Sequence, residues 1–138
     1  MNTTNETMKK RILVVDDNAS DTQLLKRYLE ETNDFVVREE NDPKAAVSTA
    51  EEFNPELILL DVLMPEMGGG ELATALKANP KLKSVPIVFL TARLTKEEVA
   101  MCAGRIGGYP FLAKPIVLAQ VAACLKVHLD QQENDYEN

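Results

Sequence analysis

Five side chains in this sequence stand where they could do chemistry together: the adjacent carboxylates Asp16 and Asp17, the carboxylate Asp61, the hydroxyl of Thr91 and the ammonium of Lys114. Each follows a short apolar run, namely Ile12-Leu13-Val14-Val15, Leu57-Ile58-Leu59-Leu60, Ile87-Val88-Phe89-Leu90 and Phe111-Leu112-Ala113. Carboxylates brought together repel and raise one another's pKa, so a cation must offset them. Lys114 supplies one positive charge against three negative ones. An oxygen-only donor set with a few carboxylates suits a hard divalent ion, Mg²⁺, and no Cys or His stands nearby to favour zinc. A divalent ion and a lysine neutralise phosphoryl oxygens, and a carboxylate can attack phosphorus to give an aspartyl phosphate. Asp61 is the expected nucleophile, because it ends the most apolar strand, where an unpaired carboxylate would be costly.

Singly, these residues have plainer readings. Asp16-Asp17 could cap a helix, Thr91 could belong to a loop and Lys114 to the surface. Their shared position at strand ends tips the balance, because ligands of an open parallel sheet bind outside the carboxyl ends of its strands. With Phe35-Val36-Val37, the apolar runs make five strands. Stretches of helical period alternate with them, opened by the capping boxes Ser20-Asp21-Thr22-Gln23 and Thr95-Lys96-Glu97-Glu98 and by Asp42-Pro43, and one is stopped at Asn79-Pro80. Central runs apolar at nearly every position predict an α/β fold, a parallel sheet covered by helices on both faces. Gly68 to Gly70 lack the lysine of a phosphate-binding loop and read as a turn into the third helix.

The chain has 138 residues, 45% of them apolar, enough for one domain. Residues 1–9 and 130–138 are polar and are expected to be disordered tails around a globular unit of 10–129. Its net charge of −7 argues against binding nucleic acid or anionic lipid. No apolar run approaches the roughly 20 residues of a membrane span and no signal peptide is evident, so a cytoplasmic location is expected. Cys102 and Cys124 read as buried free thiols. His128 reads as solvating the end of the last helix.

Taken in order, Asp16-Asp17, Asp61 with Met64-Pro65 and Gly68-Gly69, Thr91-Ala92 and Lys114-Pro115 resemble the response-regulator receiver domain of two-component signal transduction, in its stand-alone form similar to chemotaxis regulators. The resemblance covers the whole globular segment. It implies a flavodoxin-like, doubly wound five-stranded parallel sheet in the order 2-1-3-4-5. It also implies that Asp61 accepts a phosphoryl group from a phosphohistidine on a sensor histidine kinase or histidine phosphotransfer protein. Asp17, Asp61 and the backbone carbonyl of Leu63 would hold Mg²⁺, with Asp16 acting through a metal-bound water. Lys114 would pair with Asp61 and then with the phosphoryl group, toward which Thr91 would turn. Lys114-Pro115 would be the family's cis bond.

Three positions depart from the commonest family pattern. Phe111 replaces the usual tyrosine of the switch and is expected to favour the buried position. The segment from Gly104 to Pro110 is glycine-rich, and Leu63 and Arg93 occupy positions that modulate phosphoryl lifetime. With no second domain expected, the signal would leave by contact with a downstream effector protein, through the face made by the helix opening at Thr95, the strand at Phe111 and the last helix. On this reading the protein is no enzyme beyond catalysing its own phosphorylation and dephosphorylation. A small-molecule phosphatase with an aspartyl-phosphate intermediate is disfavoured by Leu63, where such enzymes carry a second acid. A receiver-like interaction module that is never phosphorylated is disfavoured by the intact set of five residues.

Overall fold

The computed structural model describes residues 9–62, 64, 67–91, 105–106, 109–114 and 117–137, with only the chain path at 105–106 and 130–137. The strands are β1 (Lys10–Val15), β2 (Phe35–Glu40), β3 (Leu57–Asp61), β4 (Ile87–Thr91), β5 (Arg105–Ile106) and β6 (Tyr109–Ala113). The helices are α1 (Ala19–Glu31), α2 (Ala46–Phe53), α3 (Gly69–Ala78) and α4 (Leu118–Glu137). A short 3₁₀ turn, Pro43–Ala45, leads into α2.

The sheet runs β2-β1-β3-β4-β6-β5. Every neighbouring pair is parallel except β5 with β6, which is antiparallel. Counting the parallel strands alone gives the expected order 2-1-3-4-5. The two-residue β5 is additional. In the sequence, Gly107-Gly108 between Ile106 and Tyr109 is a two-residue hairpin signal with no apolar run to mark it. Pro110 lies just before Phe111, the first residue of β6 in register with β4, so its missing N–H interrupts none of those pairings.

Burial on both faces explains the unbroken apolar runs. Ile12, Val14, Leu57, Leu59, Val88 and Leu90 face Leu25 and Leu29 of α1 and Val121, Leu125 and Leu129 of α4. Leu13, Val15, Ile58, Leu60, Ile87 and Phe89 face Ala46 and Ala50 of α2 and Leu72 and Leu76 of α3. Successive strand residues point to opposite faces, so a sheet covered on both sides demands apolar side chains at every step.

Several boundaries differ from the sequence expectation. Asn18, not Ser20, caps α1, its Oδ1 accepting from the N–H groups of Ser20 and Asp21 at 3.0 and 3.3 Å. The Asn18 N–H is itself held by Asp16, which pins the capping residue two positions earlier than the capping-box pattern suggests. Asp42 caps the turn into α2 as expected, accepting from the Lys44 N–H at 3.0 Å. The last helix continues through residues 130–137, where a disordered tail is expected. Polar residues extend an existing helix at little cost, because nucleation has already occurred. His128 therefore lies mid-helix rather than near its end, and is half-buried. The helix expected to open at Thr95, the 1–8 tail, Cys102 and Pro115 lie outside the described residues. Cys124 is a half-buried free thiol whose pKa burial pushes up.

At the sheet's outer strand, α1 reaches over to β2. Lys26 Nζ donates to the Val37 carbonyl at 2.7 Å, the Val37 N–H donates to Glu30 Oε2 at 2.9 Å, and the two side chains pair at 3.1 Å.

Candidate functional site

The carboxyl ends of β1, β3, β4 and β6 meet at one edge of the sheet. Asp16 follows β1 directly and is fully buried; its backbone N–H donates to the Glu40 carbonyl and its own carbonyl accepts from Asn41 Nδ2 at 2.7 Å. Asn41 also donates to Thr22 Oγ1 at 3.1 Å, tying the end of β2 to α1 behind Asp16. Asp61 is the last residue of β3 and Thr91 the last of β4, each only 4% exposed. Asp17 is exposed. The Lys114 N–H donates to the Thr91 carbonyl at 2.7 Å, which anchors the residue after β6 to the end of β4.

The side chains of Asp16, Asp17, Asp61 and Lys114 come within reach of a common centre. Asp16, Asp17 and Asp61 each offer a carboxylate oxygen, all within 4.8 Å of one another. Lys114 Nζ donates to Asp16 Oδ2 at 2.8 Å and lies 3.8 Å from Asp61 Oδ2. It also donates to Asp21 Oδ2 at 3.0 Å. Burial alone would lower the Lys114 pKa. Hydrogen bonds to Asp16 and Asp21 and the charges of Asp16 and Asp61 outweigh that cost, and the ammonium titrates above the ordinary lysine value of 10.5.

Asp21 is a neighbour of this cluster that the sequence conceals. It lies in the first turn of α1, where an acid is favoured by the helix dipole alone, and only the fold brings it to Lys114. The expected pairing of Lys114 with Asp61 is present as a 3.8 Å ion pair, while the two hydrogen bonds go to Asp16 and Asp21. The Leu63 carbonyl, Ala92 and Arg93 fall outside the described residues.

The three carboxylates fit a hard divalent cation: they are oxygen donors, close together, and one of them reaches solvent. Asp16 already accepts from the Asn18 N–H through Oδ1 and from Lys114 through Oδ2.

Gly69 holds α3 against this edge. A Cβ there would lie 2.5 Å from the Asp61 carbonyl oxygen and 2.7 Å from Val62 Cα, both backbone atoms, and the Gly69 N–H donates to the Val62 carbonyl at 2.9 Å. A Gly69→Ala chain is therefore expected to lose about 1–3 kcal/mol in urea unfolding, since backbone must shift to admit the methyl. The variant should also bind divalent cations more weakly, because the displaced backbone belongs to Asp61. A chain as stable as the wild type would show that α3 approaches less closely.

Phe111 is half-buried rather than fully buried. It shares the space over Phe89 with Tyr109, whose ring meets that of Phe89 edge-on at 5.2 Å between centroids.

The response regulator receiver domain family model matches residues 12–126. The chain belongs to that family. Among curated relatives of this receiver domain are the DNA-binding response regulator MtrA of Mycobacterium tuberculosis, 31% identical over 94% of the chain, and the transcriptional regulatory protein SrrA of Staphylococcus aureus, 34% identical over 92%. The chain spans about half the length of these two, 55% and 51%. A solved response regulator from Desulfuromonas acetoxidans has the same fold, with a TM-score of 0.77 at 28% identity, covering 88% of this chain and 98% of that one. Receiver domains are signalling modules of two-component systems, and the aspartate cluster stands at this one's sheet edge. Among the described residues, no helix is long and apolar enough to cross a membrane.

Proposed function

We propose that this receiver domain is a phosphorylation-controlled switch in which Asp61 accepts a phosphoryl group from a phosphohistidine on a sensor histidine kinase or histidine phosphotransfer protein. The observation that carries the reading is Asp61 itself: a carboxylate 4% exposed at a strand end, with Lys114 Nζ 3.8 Å away and two further carboxylates beside it. An oxygen of Asp61 bonds to phosphorus as the bond from phosphorus to the histidine nitrogen breaks, and the imidazole leaves with that electron pair.

Asp17 and Asp61, with Asp16 behind them, would hold Mg²⁺, which when bound neutralises negative charge on phosphoryl oxygens. Lys114 supplies a second positive charge from the β6 side, and the Thr91 hydroxyl stands at the end of the adjacent strand to meet a phosphoryl oxygen. The added group brings roughly −1.5 to −2 charge to this edge, and the protein responds by shifting between two arrangements of the segment after Thr91 and of the β6 face. A downstream effector protein reads that face. The domain works in the cytoplasm, touches neither membrane nor nucleic acid itself, and catalyses no reaction but its own phosphorylation and dephosphorylation.

The test is intact-mass measurement after incubation with Mg²⁺ and acetyl phosphate. The expected result is the gain of a single phosphoryl group, lost when the metal is chelated beforehand. No gain with acetyl phosphate or phosphoramidate would overturn the reading.

A further inference from the structure

The Lys114 ammonium is shared unequally. It has three N–H donors. Two are spent on Asp16 at 2.8 Å and Asp21 at 3.0 Å, while Asp61 lies at 3.8 Å, within ion-pair range but beyond a hydrogen bond. Both near carboxylates are firmly placed. Asp16 is fully buried and accepts the Asn18 N–H, and Asp21 stands in the first turn of α1 with its own N–H donated to the Asn18 cap at 3.3 Å. Asp21 and Lys114 are 93 residues apart in the chain, so the pairing is made by the fold.

We propose that Asp21 is a positioning residue that holds Lys114 toward α1 and away from Asp61, and so slows phosphoryl uptake. The inference rests on Asp61 being the acceptor. In uptake from acetyl phosphate, an Asp61 oxygen bonds to phosphorus, the bond between phosphorus and the acetyl oxygen breaks, and acetate departs with the electron pair. Lys114 helps most when its ammonium meets the phosphoryl oxygens as that exchange proceeds, and any such contact must be made in competition with Asp21. Once Asp61 is phosphorylated, the lysine has already been drawn over, so Asp21 acts on entry to the phosphorylated state far more than on exit. The cost of leaving Asp21 is thus a brake on one direction. A merely structural acid in the first turn of α1 would have no such asymmetry.

The experiment compares the wild type with Asp21→Asn and Asp21→Glu. Phosphoryl uptake from acetyl phosphate with Mg²⁺ is followed by intact mass, and loss of the group is followed after the donor is removed. The expected result is uptake about three- to tenfold faster in Asp21→Asn, loss changed less than twofold, and wild-type uptake restored in Asp21→Glu, which keeps the charge. Thermal melts show that both variants are folded. Uptake in Asp21→Asn that is unchanged or slower, while the wild type is phosphorylated normally, overturns the brake and leaves the proposed function standing. Equal acceleration of uptake and loss also overturns it. No uptake in the wild type overturns both.

Discussion

An Asp61→Asn chain is expected to take up no phosphoryl group from acetyl phosphate under conditions that load the wild type completely, because an amide has no anionic oxygen to attack phosphorus. The substitution is nearly isosteric, so loss of uptake will not reflect loss of the fold. Without metal, the variant should unfold at the same or slightly higher denaturant concentration. It removes one of three carboxylates clustered within 4.8 Å, while Lys114 keeps its hydrogen bonds to Asp16 and Asp21. The relief is on the order of 1 kcal/mol, the balance between lost repulsion and a lost 3.8 Å ion pair. Mg²⁺ should then stabilise the variant less than the wild type, since one expected ligand carries no charge. A mass gain in Asp61→Asn equal to the wild type's would place the acceptor elsewhere.

Lys114→Met should do the opposite to stability. Methionine keeps the aliphatic stem and removes the ammonium that touches Asp16, Asp21 and Asp61. Because Asp16 is fully buried, breaking that pair leaves a buried charge uncompensated, and about 3 kcal/mol of stability should be lost at neutral pH. Millimolar Mg²⁺ should recover part of it. The pH dependence has a definite sign. A lysine whose folded pKa is raised contributes stability that is complete below its unfolded value of 10.5 and disappears as pH rises through the folded value. The gap between wild type and Lys114→Met should therefore be flat across neutral pH and narrow only above that value. Urea titrations from pH 7 upward would show this, and a gap that narrows already near neutrality would contradict it. Phosphoryl uptake should fall about a hundredfold, the usual scale for removing one preorganised donor.

What the sequence revealed follows from where its signals are local. The strands were legible because both faces of the sheet are buried, so Leu57 to Leu60 are apolar without a gap. The candidate site was legible because Asp61, Thr91 and Lys114 each interrupt such a run at its carboxyl end. Asp21 is hidden by having a sufficient local explanation, a first-turn acid beside a helix start; its bond to Lys114 joins residues 93 positions apart and is made only by the fold. The capping role of Asn18 is concealed for a related reason. Whether Asn18 or Ser20 caps α1 depends on the Asp16 carboxylate that anchors the Asn18 N–H, a contact outside the capping pattern. The continuation of α4 past Leu129 was concealed because polarity speaks to burial and not to whether an existing helix stops.

Lys26 and Glu30 have a consequence beyond their own ion pair. Parallel sheets end in strands whose outward N–H and carbonyl groups can template another chain, and the growth of fibrils begins on such borders. In β2 the middle of that border is already taken: the outward groups of Val37 are bonded to a cation and an anion from the chain's own first helix. An incoming strand would have to displace both before it could pair along the middle of β2. The molecule thus carries a stopper against polymerisation, built from two residues of ordinary appearance on a solvent-facing helix.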